Sequence, residues 1–175
     1  DAVNTLYAKK VLNGKSEGVF APADNVLREE FAKMVMSAVK FATIAGEIQF
    51  DDVSEDDWYY DCVTQAYLCG VIKGESKTSF GSGKKITRQD MAEDEDGILS
   101  LDALVKKGVV SEENSTVLEY KDAEEISDYA QNAVSVLTSL KILTGNDDNS
   151  FSPHGIATRA EAAQMIYKAL NYIAE

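Results

Sequence analysis

The sequence is short of the residues that build metal centres and covalent cross-links. It contains one histidine and two cysteines among 175 residues. Cys62 and Cys69 lie seven positions apart in a predicted helix, about 10 Å along its axis, which is too far for a disulfide. One histidine, His154, and two separated cysteines do not supply a zinc site. We therefore expect no disulfide, no bound metal and no cofactor, and we expect Cys62 to be a small core residue.

Basic residues and long apolar runs are scarce as well. The chain has 30 acidic and 17 basic residues, a formal net charge of −13. Such a chain has no basic stripe that could displace counterions from a nucleic acid or attract it to an anionic membrane. No apolar run approaches the roughly 20 residues that span a bilayer. We expect neither nucleic acid as a partner nor insertion into a membrane.

Arginine is the rarest cation, and its three copies fall in one register of a repeat. Each arginine follows a phenylalanine by eight residues, and each phenylalanine follows a glycine by six. An apolar pair and one variable residue precede each glycine. The aligned sets are Gly14, Phe20 and Arg28; Gly74, Phe80 and Arg88; and Gly145, Phe151 and Arg159. The agreement predicts three tandem units, which must share a core because two helices cannot bury their apolar faces alone.

The third unit contains the clearest helix start. Thr158 and Glu161 have the spacing of a capping box, and an apolar stripe of helical period follows them. Arg159 has no such structural explanation, since a cation at the first helical position opposes the helix dipole. Free N–H groups and a guanidinium together favour a carboxylate ligand. We therefore predict anion sites at Arg28, Arg88 and Arg159; the alternative is that each arginine pairs with an acidic residue of a neighbouring unit.

The predicted units are residues 1–46, 47–117 and 118–175, each with a helix, a short apolar strand-like segment, a loop and a second helix. Repeat 1 has its second helix at about 28–42, where Leu27 cannot cap and leaves the role to Asn25 or Asp24. Repeat 2 has its first helix at about 57–69, followed by Gly70 as a left-handed residue. Its second helix is predicted to break at 93–97 and to resume at 98–107, with a polar linker at 111–116. Repeat 3 has its first helix at about 128–140.

Several segments resemble the S-layer homology (SLH) domain, a family that typically occurs as three tandem copies. One set is Phe50-Asp51-Asp52-Val53, Trp58, Gly70-Val71-Ile72-Lys73-Gly74 and Ile86-Thr87-Arg88-Gln89-Asp90; another is Ile142-Leu143-Thr144-Gly145, Phe151-Ser152-Pro153 and Ala157-Thr158-Arg159-Ala160-Glu161. Repeat 1 lacks the leading segment that carries Asp52 and Trp58 in repeat 2. The resemblance implies an all-α, three-pronged pseudo-trimer. It also implies a non-catalytic module that anchors a secreted bacterial surface protein to the cell wall.

The resemblance further implies grooves between the prongs that bind a pyruvylated sugar of a secondary cell-wall polysaccharide, or a related peptidoglycan-linked glycan. The three arginines would then bind the ketal carboxylate, and the groove at Arg159 is the best preserved in sequence. The other candidate contacts have structural alternatives. Trp58 and Tyr129 either stack on the sugar ring or pack in the core. Asp52 and Asp122 either accept from sugar hydroxyls or cap the following helices, and Gly14, Gly74 and Gly145 are expected to permit a left-handed turn and border the groove.

Other classes of function fit the sequence less well. Residues 146–149 lack the ligand spacing and the terminal glutamate of an EF-hand calcium loop. No pair of carboxylates is singled out as a glycosidase would require, so we expect no catalysis. A protein–protein interaction module of a surface-layer or exoprotein scaffold remains the alternative, and displacement by a pyruvylated saccharide would discriminate between the two.

Overall fold

The computed structural model describes residues 2–39, 41–92 and 116–174, and within these ranges the chain is helical with no β-strand. The predicted break at 93–97, the segment 98–107 and most of the linker 111–116 lie outside the described residues. The helices are α1 (Ala2–Ala8), α2 (Arg28–Ala38), α3 (Tyr60–Leu68), α4 (Arg88–Ala92), α5 (Asp128–Ser139) and α6 (Arg159–Ala174), with a short 3-10 helix at Ala123–Glu125.

Two predicted helix boundaries are wrong, and a specific contact accounts for each. α2 ends at Ala38 rather than near Ala42, and the chain then runs beside α3. There the side-chain amide of Gln65 donates to the carbonyl of Ile44 and accepts from its N–H, both at 2.9 Å. α3 begins at Tyr60 rather than Asp57, because the Asp57 carboxylate accepts from the N–H of Ser54 at 2.8 Å and closes a turn.

The apolar segments after the first helices are helix caps, and the expected strand-like conformation is wrong. In each repeat the two apolar residues turn back and donate their N–H groups to one carbonyl near the end of the preceding helix. Such bonds satisfy carbonyls that the helix end leaves free. The donors and acceptors are Val11 and Leu12 to Leu6, Val71 and Ile72 to Ala66, and Ile142 and Leu143 to Leu137, with distances of 2.8–3.4 Å.

A closed ring of hydrogen bonds joins the three repeats around their common axis. The N–H of Val26 donates to the carbonyl of Ala157 at 3.1 Å. Ile86 donates to Val26 and Ala157 donates to Ile86, each at 3.0 Å. All three residues are fully buried. Since each repeat both donates and accepts once, a single repeat cannot satisfy these backbone groups.

The hydrophobic core is one cluster with members from all three repeats. Second helices pack against first helices of the next repeat around the ring: α2 against α3, α4 against α5, and α6 against α1. Phe31, Phe80 and Phe151 are the largest fully buried side chains. The described residues thus confirm the predicted all-α architecture with a shared core.

Both cysteines are free thiols, and neither is fully buried. Cys62 is half-buried in α3, and burial raises the pKa of its thiol to about 11. A thiol with so high a pKa stays protonated and unreactive at neutral pH.

Candidate functional site

The three arginines each begin a helix, as predicted, and each reaches into the next repeat. The side chains are buried, with 3–8% of their surface exposed. In every case the guanidinium Nε donates to the carbonyl of a phenylalanine in the next repeat, and the same guanidinium lies over that phenylalanine's ring. The pairs are Arg28 with Phe80 (3.0 Å to the carbonyl, 5.4 Å to the ring centroid), Arg88 with Phe151 (2.7 and 5.1 Å), and Arg159 with Phe20 (3.0 and 4.9 Å). The aligned arginines and phenylalanines therefore contact each other across the interfaces between repeats.

The first amides of these helices are not free to bind a ligand anion, contrary to the expectation from sequence. The N–H of Arg28 donates to the carbonyl of Lys84, that of Arg88 to Gly155, and that of Arg159 to Asp24, at 2.8–2.9 Å. The helix starts dock on loops of the next repeat, whose carbonyls take the place of an anion. α2 has no side-chain cap from Asn25 or Asp24.

Two arginines also meet a glutamate of the next repeat, as the structural alternative predicted. Nη1 of Arg88 bonds Glu161, and Nη1 of Arg159 lies 3.8 Å from Glu30. Glu161 completes the predicted capping box, accepting from the N–H of Thr158 at 2.8 Å. Burial raises the pKa of Glu161, but the Thr158 hydrogen bonds and the Arg88 charge outweigh it, so the net shift is downward. The glutamate is therefore ionised at neutral pH and balances the arginine.

Arg88 and Arg159 also bond the residue before the aligned glycine of the next repeat. Nη2 of Arg159 donates to the carbonyl of Asn13 at 2.7 Å, and Nη2 of Arg88 donates to the carbonyl of Thr144 at 3.0 Å. Each contact fixes the loop that forms one wall of an inter-repeat groove. The arginines thus connect the core interface to the grooves.

Asp52 and Asp122 hold loops rather than capping the helices that follow them. Asp52 accepts from the N–H groups of Phe80 (2.7 Å), Gly81 (2.7 Å) and Ser82 (3.0 Å) and from the Ser79 hydroxyl (3.1 Å). Asp122 accepts from the N–H groups of Phe151 and Ser152, each at 2.7 Å. Burial raises both carboxyl pKa values, but these backbone hydrogen bonds outweigh it and lower them overall.

Gly14, Gly74 and Gly145 are not in left-handed conformations, so that expectation is wrong. They are required for close packing. A Cβ on Gly14 would lie 2.8 Å from the carbonyl oxygens of Ser16 and Val19. A Cβ on Gly74 would meet the Phe50 ring at 2.5 Å, and one on Gly145 would meet the Tyr120 ring at the same distance.

Trp58 and Tyr129 occupy equivalent positions but have different surroundings. Trp58 has 59% of its surface exposed, and the ammonium of Lys33 lies 4.7 Å from its ring centroid. The hydroxyl of Tyr129 accepts from Gln89 and donates to Asp90, both at 2.7 Å, which joins the start of α5 to α4. Trp58 is therefore open to a ligand, whereas Tyr129 serves an interface between repeats.

A groove where Arg159 of repeat 3 meets residues of repeat 1 and Trp58 of repeat 2 brings together several functional groups, and we call it the Arg159 groove. Its volume is about 370 Å³. The lining residues include the cations Lys15, Lys33 and Arg159, the aromatic Trp58, the polar Asn13, Gly14 and Glu30, and the apolar Val11 and Met34. Apolar side chains, an exposed indole, three cations and the carboxylate of Glu30 thus line one cleft.

The groove between repeats 2 and 3 has the same register, and we call it the Arg88 groove. It encloses about 300 Å³ and is lined by Arg88, Met91, Ile142, Leu143, Thr144, Ala160, Glu161, Gln164, Met165 and Lys168. Gln164 stands where Lys33 stands in the Arg159 groove. The Arg88 groove therefore keeps the arginine and glutamate, with Lys168 as its other cation.

Sequence reasoning missed Asn13, Lys15, Glu30 and Lys33. The repeat register contained a signal for two of them, because Glu30 aligns with Glu161 and Asn13 precedes the aligned glycine. Lys33 carries no such signal, since its counterpart in repeat 3 is a glutamine. Within the described ranges, no helix combines the length and the apolar character that crossing a membrane requires.

Comparison with known proteins places the chain in a family. The family model described as S-layer homology domain matches residues 1–32, 49–92 and 119–163. An exoglucanase of Acetivibrio thermocellus is 32% identical over 170 residues, covering 97% of this chain and 15% of the relative. An amylopullulanase of Thermoanaerobacterium thermosulfurigenes is 33% identical over 172 residues, covering 97% of this chain and 9% of the relative.

A third relative is a cellulosome-anchoring protein of Acetivibrio thermocellus, 25% identical over 163 residues, covering 91% of this chain and 35% of the relative. The chain thus spans between 9% and 35% of the length of these three relatives. The family model accounts for well over half of the chain. Each of its three segments contains one aligned set of glycine, phenylalanine and arginine. The chain belongs to the S-layer homology domain family.

Proposed function

We propose that this chain is a non-catalytic module that anchors a secreted bacterial protein to the cell wall. The relatives support attachment rather than catalysis: an exoglucanase and an amylopullulanase, named for different reactions, both align with nearly the whole of this chain over a small share of their own length. A cellulosome-anchoring protein aligns with it as well. In this proposal the catalytic or structural cargo lies elsewhere in the protein.

We further propose that the partner is an anionic, pyruvylated cell-wall polysaccharide bound in the Arg159 groove. The observation that carries this proposal is the exposed indole of Trp58 beside the ammonium of Lys33, 4.7 Å from the ring centroid, in a groove that Arg159 also lines. A pyruvylated sugar presents an apolar ring face and a carboxylate on one residue. The groove offers an aromatic face for the sugar ring and, beside it, cations for the carboxylate.

The proposed contacts divide into direct and indirect ones. Trp58 stacks on the sugar ring, while Lys33 and the groove-facing edge of Arg159 bind the ketal carboxylate. Gly14 lets the sugar approach the loop backbone beside Asn13. In the Arg88 groove, Arg88 and Gly145 take the corresponding places without an aromatic platform, so we expect weaker binding there.

The other candidate residues act on the grooves indirectly in this proposal. Arg28 fastens repeat 1 to the Phe80 loop, and Tyr129 fastens α5 to α4. Asp52 and Asp122 hold the loops that carry the phenylalanines. Gly74 allows the close packing of the Phe50 ring. Their substitution should reduce stability first, and binding only as a consequence.

Calorimetric titration with purified pyruvylated wall polymer tests the proposal. We expect Trp58→Ala to weaken binding about tenfold, since the stacking of an aromatic ring contributes roughly 1.4 kcal/mol. Lys33→Met should weaken it by about fivefold to tenfold, because the carboxylate loses a charge-assisted partner. Lys168→Met, which removes a cation of the Arg88 groove, is the matched control and should change affinity less than twofold.

Polymer from which the ketal has been removed distinguishes recognition of the sugar ring from recognition of the carboxylate. Loss of binding by this polymer, together with the Lys33 effect, supports recognition of the carboxylate. Equal binding of both polymers, or no effect of Trp58→Ala in a protein that still binds, contradicts the proposed groove. Absence of any polymer binding by the folded parent favours the protein–protein interaction module instead.

A further inference from the structure

Asn13 and Gly14 form the only Asn-Gly pair in the sequence. They lie in the loop after α1, and both residues are exposed. Asparagine followed by glycine is prone to deamidation, because the backbone nitrogen of the second residue can attack the side-chain amide of the first, and glycine has no Cβ to hinder the attack. The aligned residues before the glycines of repeats 2 and 3 are Lys73 and Thr144, which have no side-chain amide. Only repeat 1 therefore contains both reacting groups.

The two reacting groups are not tied up by other contacts. Among the described residues, neither the side-chain amide of Asn13 nor the N–H of Gly14 makes a hydrogen bond. The next amides of the loop are occupied: the N–H of Lys15 donates to the carbonyl of Val19 at 2.8 Å, and that of Val19 donates to Ser16 at 3.1 Å. The attack on Asn13 therefore breaks no hydrogen bond of the loop.

Arg159 polarises the peptide group that supplies the nucleophile. The carbonyl of Asn13 and the N–H of Gly14 belong to one peptide bond, and Nη2 of Arg159 donates to that carbonyl at 2.7 Å. Loss of the Gly14 proton places negative charge on this oxygen as well as on the nitrogen, because the two atoms are conjugated. A buried guanidinium, 4% exposed, lies where that charge develops and favours the ionised form. The Gly14 nitrogen is therefore easier to ionise here than in a free peptide.

We infer that Asn13 is a site of self-modification, at which Arg159 promotes deamidation and the product inactivates the Arg159 groove. The Gly14 nitrogen gives up its proton and bonds to Cγ of Asn13, while Nδ2 takes up a proton from solvent and leaves as ammonia. Water then adds to either carbonyl carbon of the resulting succinimide ring and breaks that carbon's bond to the Gly14 nitrogen, which regains a proton. The products are aspartate and isoaspartate. The net reaction consumes one water, releases one ammonia and transfers no electrons.

Either product places a new carboxylate in the Arg159 groove, which Asn13 lines together with Lys15, Lys33 and Arg159. The carboxylate competes for these cations with the ketal carboxylate of the sugar and repels it. In isoaspartate the backbone also gains a methylene group, which displaces the carbonyl that Arg159 holds. Binding of the polymer therefore declines as the protein ages. This consequence rests on the proposed function, whereas the modification itself does not.

Mass spectrometry of the full chain during incubation at neutral pH tests the modification. Peptide mapping should place the mass gain and the isoaspartate at Asn13, and the reaction should be faster than in a free peptide of residues 9–19. Arg159→Lys should slow it at least about tenfold, because the ionised peptide group loses its guanidinium. Arg28→Lys, the same change at an interface without this contact, is the matched control and should leave the rate unchanged.

Two results would overturn the assigned modification. Absence of deamidation at Asn13 would remove the site. A reaction in the folded protein that is slower than in the peptide, or equally fast in the Arg28→Lys and Arg159→Lys variants, would remove the role of Arg159.

Titration of fresh and deamidated protein with pyruvylated wall polymer tests the consequence. Deamidated protein should bind at least about fivefold more weakly than fresh protein. Asn13→Asp should bind as the aspartate product does, and Asn13→Gln should keep its initial affinity throughout the incubation. Equal affinity of fresh and deamidated protein would overturn the inactivation alone. Absence of binding by fresh protein would overturn the proposed function together with the inactivation, while the mass and the reaction rates still decide the modification.

Discussion

At the scale of single residues, the arginines serve two surfaces at once. Nε bonds a phenylalanine carbonyl of the next repeat, while Nη2 of Arg88 and Arg159 bonds the loop that forms a groove wall. A planar guanidinium with five fixed donors can make both contacts, and a lysine cannot. The same residue therefore fixes the shape of a groove and offers charge to it.

Asp52→Asn tests the role of the aspartates in holding the loops. The carboxylate accepts four hydrogen bonds from residues 79–82, and the amide replaces an acceptor oxygen by a donor. We expect the free energy of unfolding to fall by about 2–4 kcal/mol at pH 7. Asp51→Asn, at the exposed neighbour, is the control and should change it by less than about 0.5 kcal/mol.

The pH dependence of the Asp52→Asn effect provides a second check. The pKa of Asp52 is lowered in the folded protein: burial raises it, but the loop hydrogen bonds outweigh burial. Its contribution is therefore fully present above the ordinary aspartate pKa, about 3.9, and is lost as the pH falls through the lower folded-state value. Urea unfolding should give a constant difference between parent and variant from pH 7 to 5 and a shrinking one below pH 4; a constant difference at all pH values would contradict this account.

At the scale of the helices, the sequence predicted those starts that a local pattern marks, whereas it misplaced the start of α3 and the end of α2. The capping box at Thr158 and the arginines at first helical positions are local patterns, and the structure confirms them. The early end of α2 depends on Gln65, a residue far along the chain that holds the following segment. No local pattern contains that contact.

The ends of the first helices yield a prediction about stability. Gly70 has φ 68°, and the aligned residues Lys10 and Lys141 have φ 59° and 58°. A side chain in this conformation costs roughly 1–2 kcal/mol, partly offset because glycine gains freedom in the unfolded chain. Lys141→Gly should therefore stabilise the protein by about 0.5 kcal/mol and raise Tm by about 1–2 °C in calorimetry.

Gly70→Ala should change the free energy of unfolding in the opposite direction at the equivalent helix end. It should destabilise the protein by about 1 kcal/mol, because the added Cβ opposes the left-handed conformation. A loss of stability in Lys141→Gly, or no loss in Gly70→Ala, would show that these helix ends are not the source of strain.

At the scale of the whole molecule, the repeats form a closed ring in which every repeat completes its neighbour. The backbone ring of Val26, Ile86 and Ala157 and the three arginine–phenylalanine contacts both run around the same cycle. The threefold register made this sharing predictable from the sequence. The glutamates near Arg88 and Arg159 agree with the alternative drawn from the sequence, whereas the carbonyl partners of the arginines were not predictable, because backbone carbonyls carry no sequence signal.

Substitution of each arginine by glutamine separates stability from binding. Arg28→Gln, Arg88→Gln and Arg159→Gln should each lower the free energy of unfolding by at least about 3 kcal/mol, since each leaves buried carbonyls unpaired. The Tm values of the three variants should therefore lie within a few degrees of one another. Polymer affinity, measured well below Tm, should fall most for Arg159→Gln; an equal fall for all three would show that the arginines act on binding only through the fold.

Trp58 gives the most direct test of the central claim, that the Arg159 groove binds an anionic wall sugar. It is the single tryptophan of the chain, so its fluorescence reports on this groove alone. Titration with pyruvylated wall polymer should produce a saturable change in Trp58 emission, and polymer without the ketal should produce none. Calorimetric binding of the polymer without any change in Trp58 emission, or an equal response to both polymers, would contradict the claim.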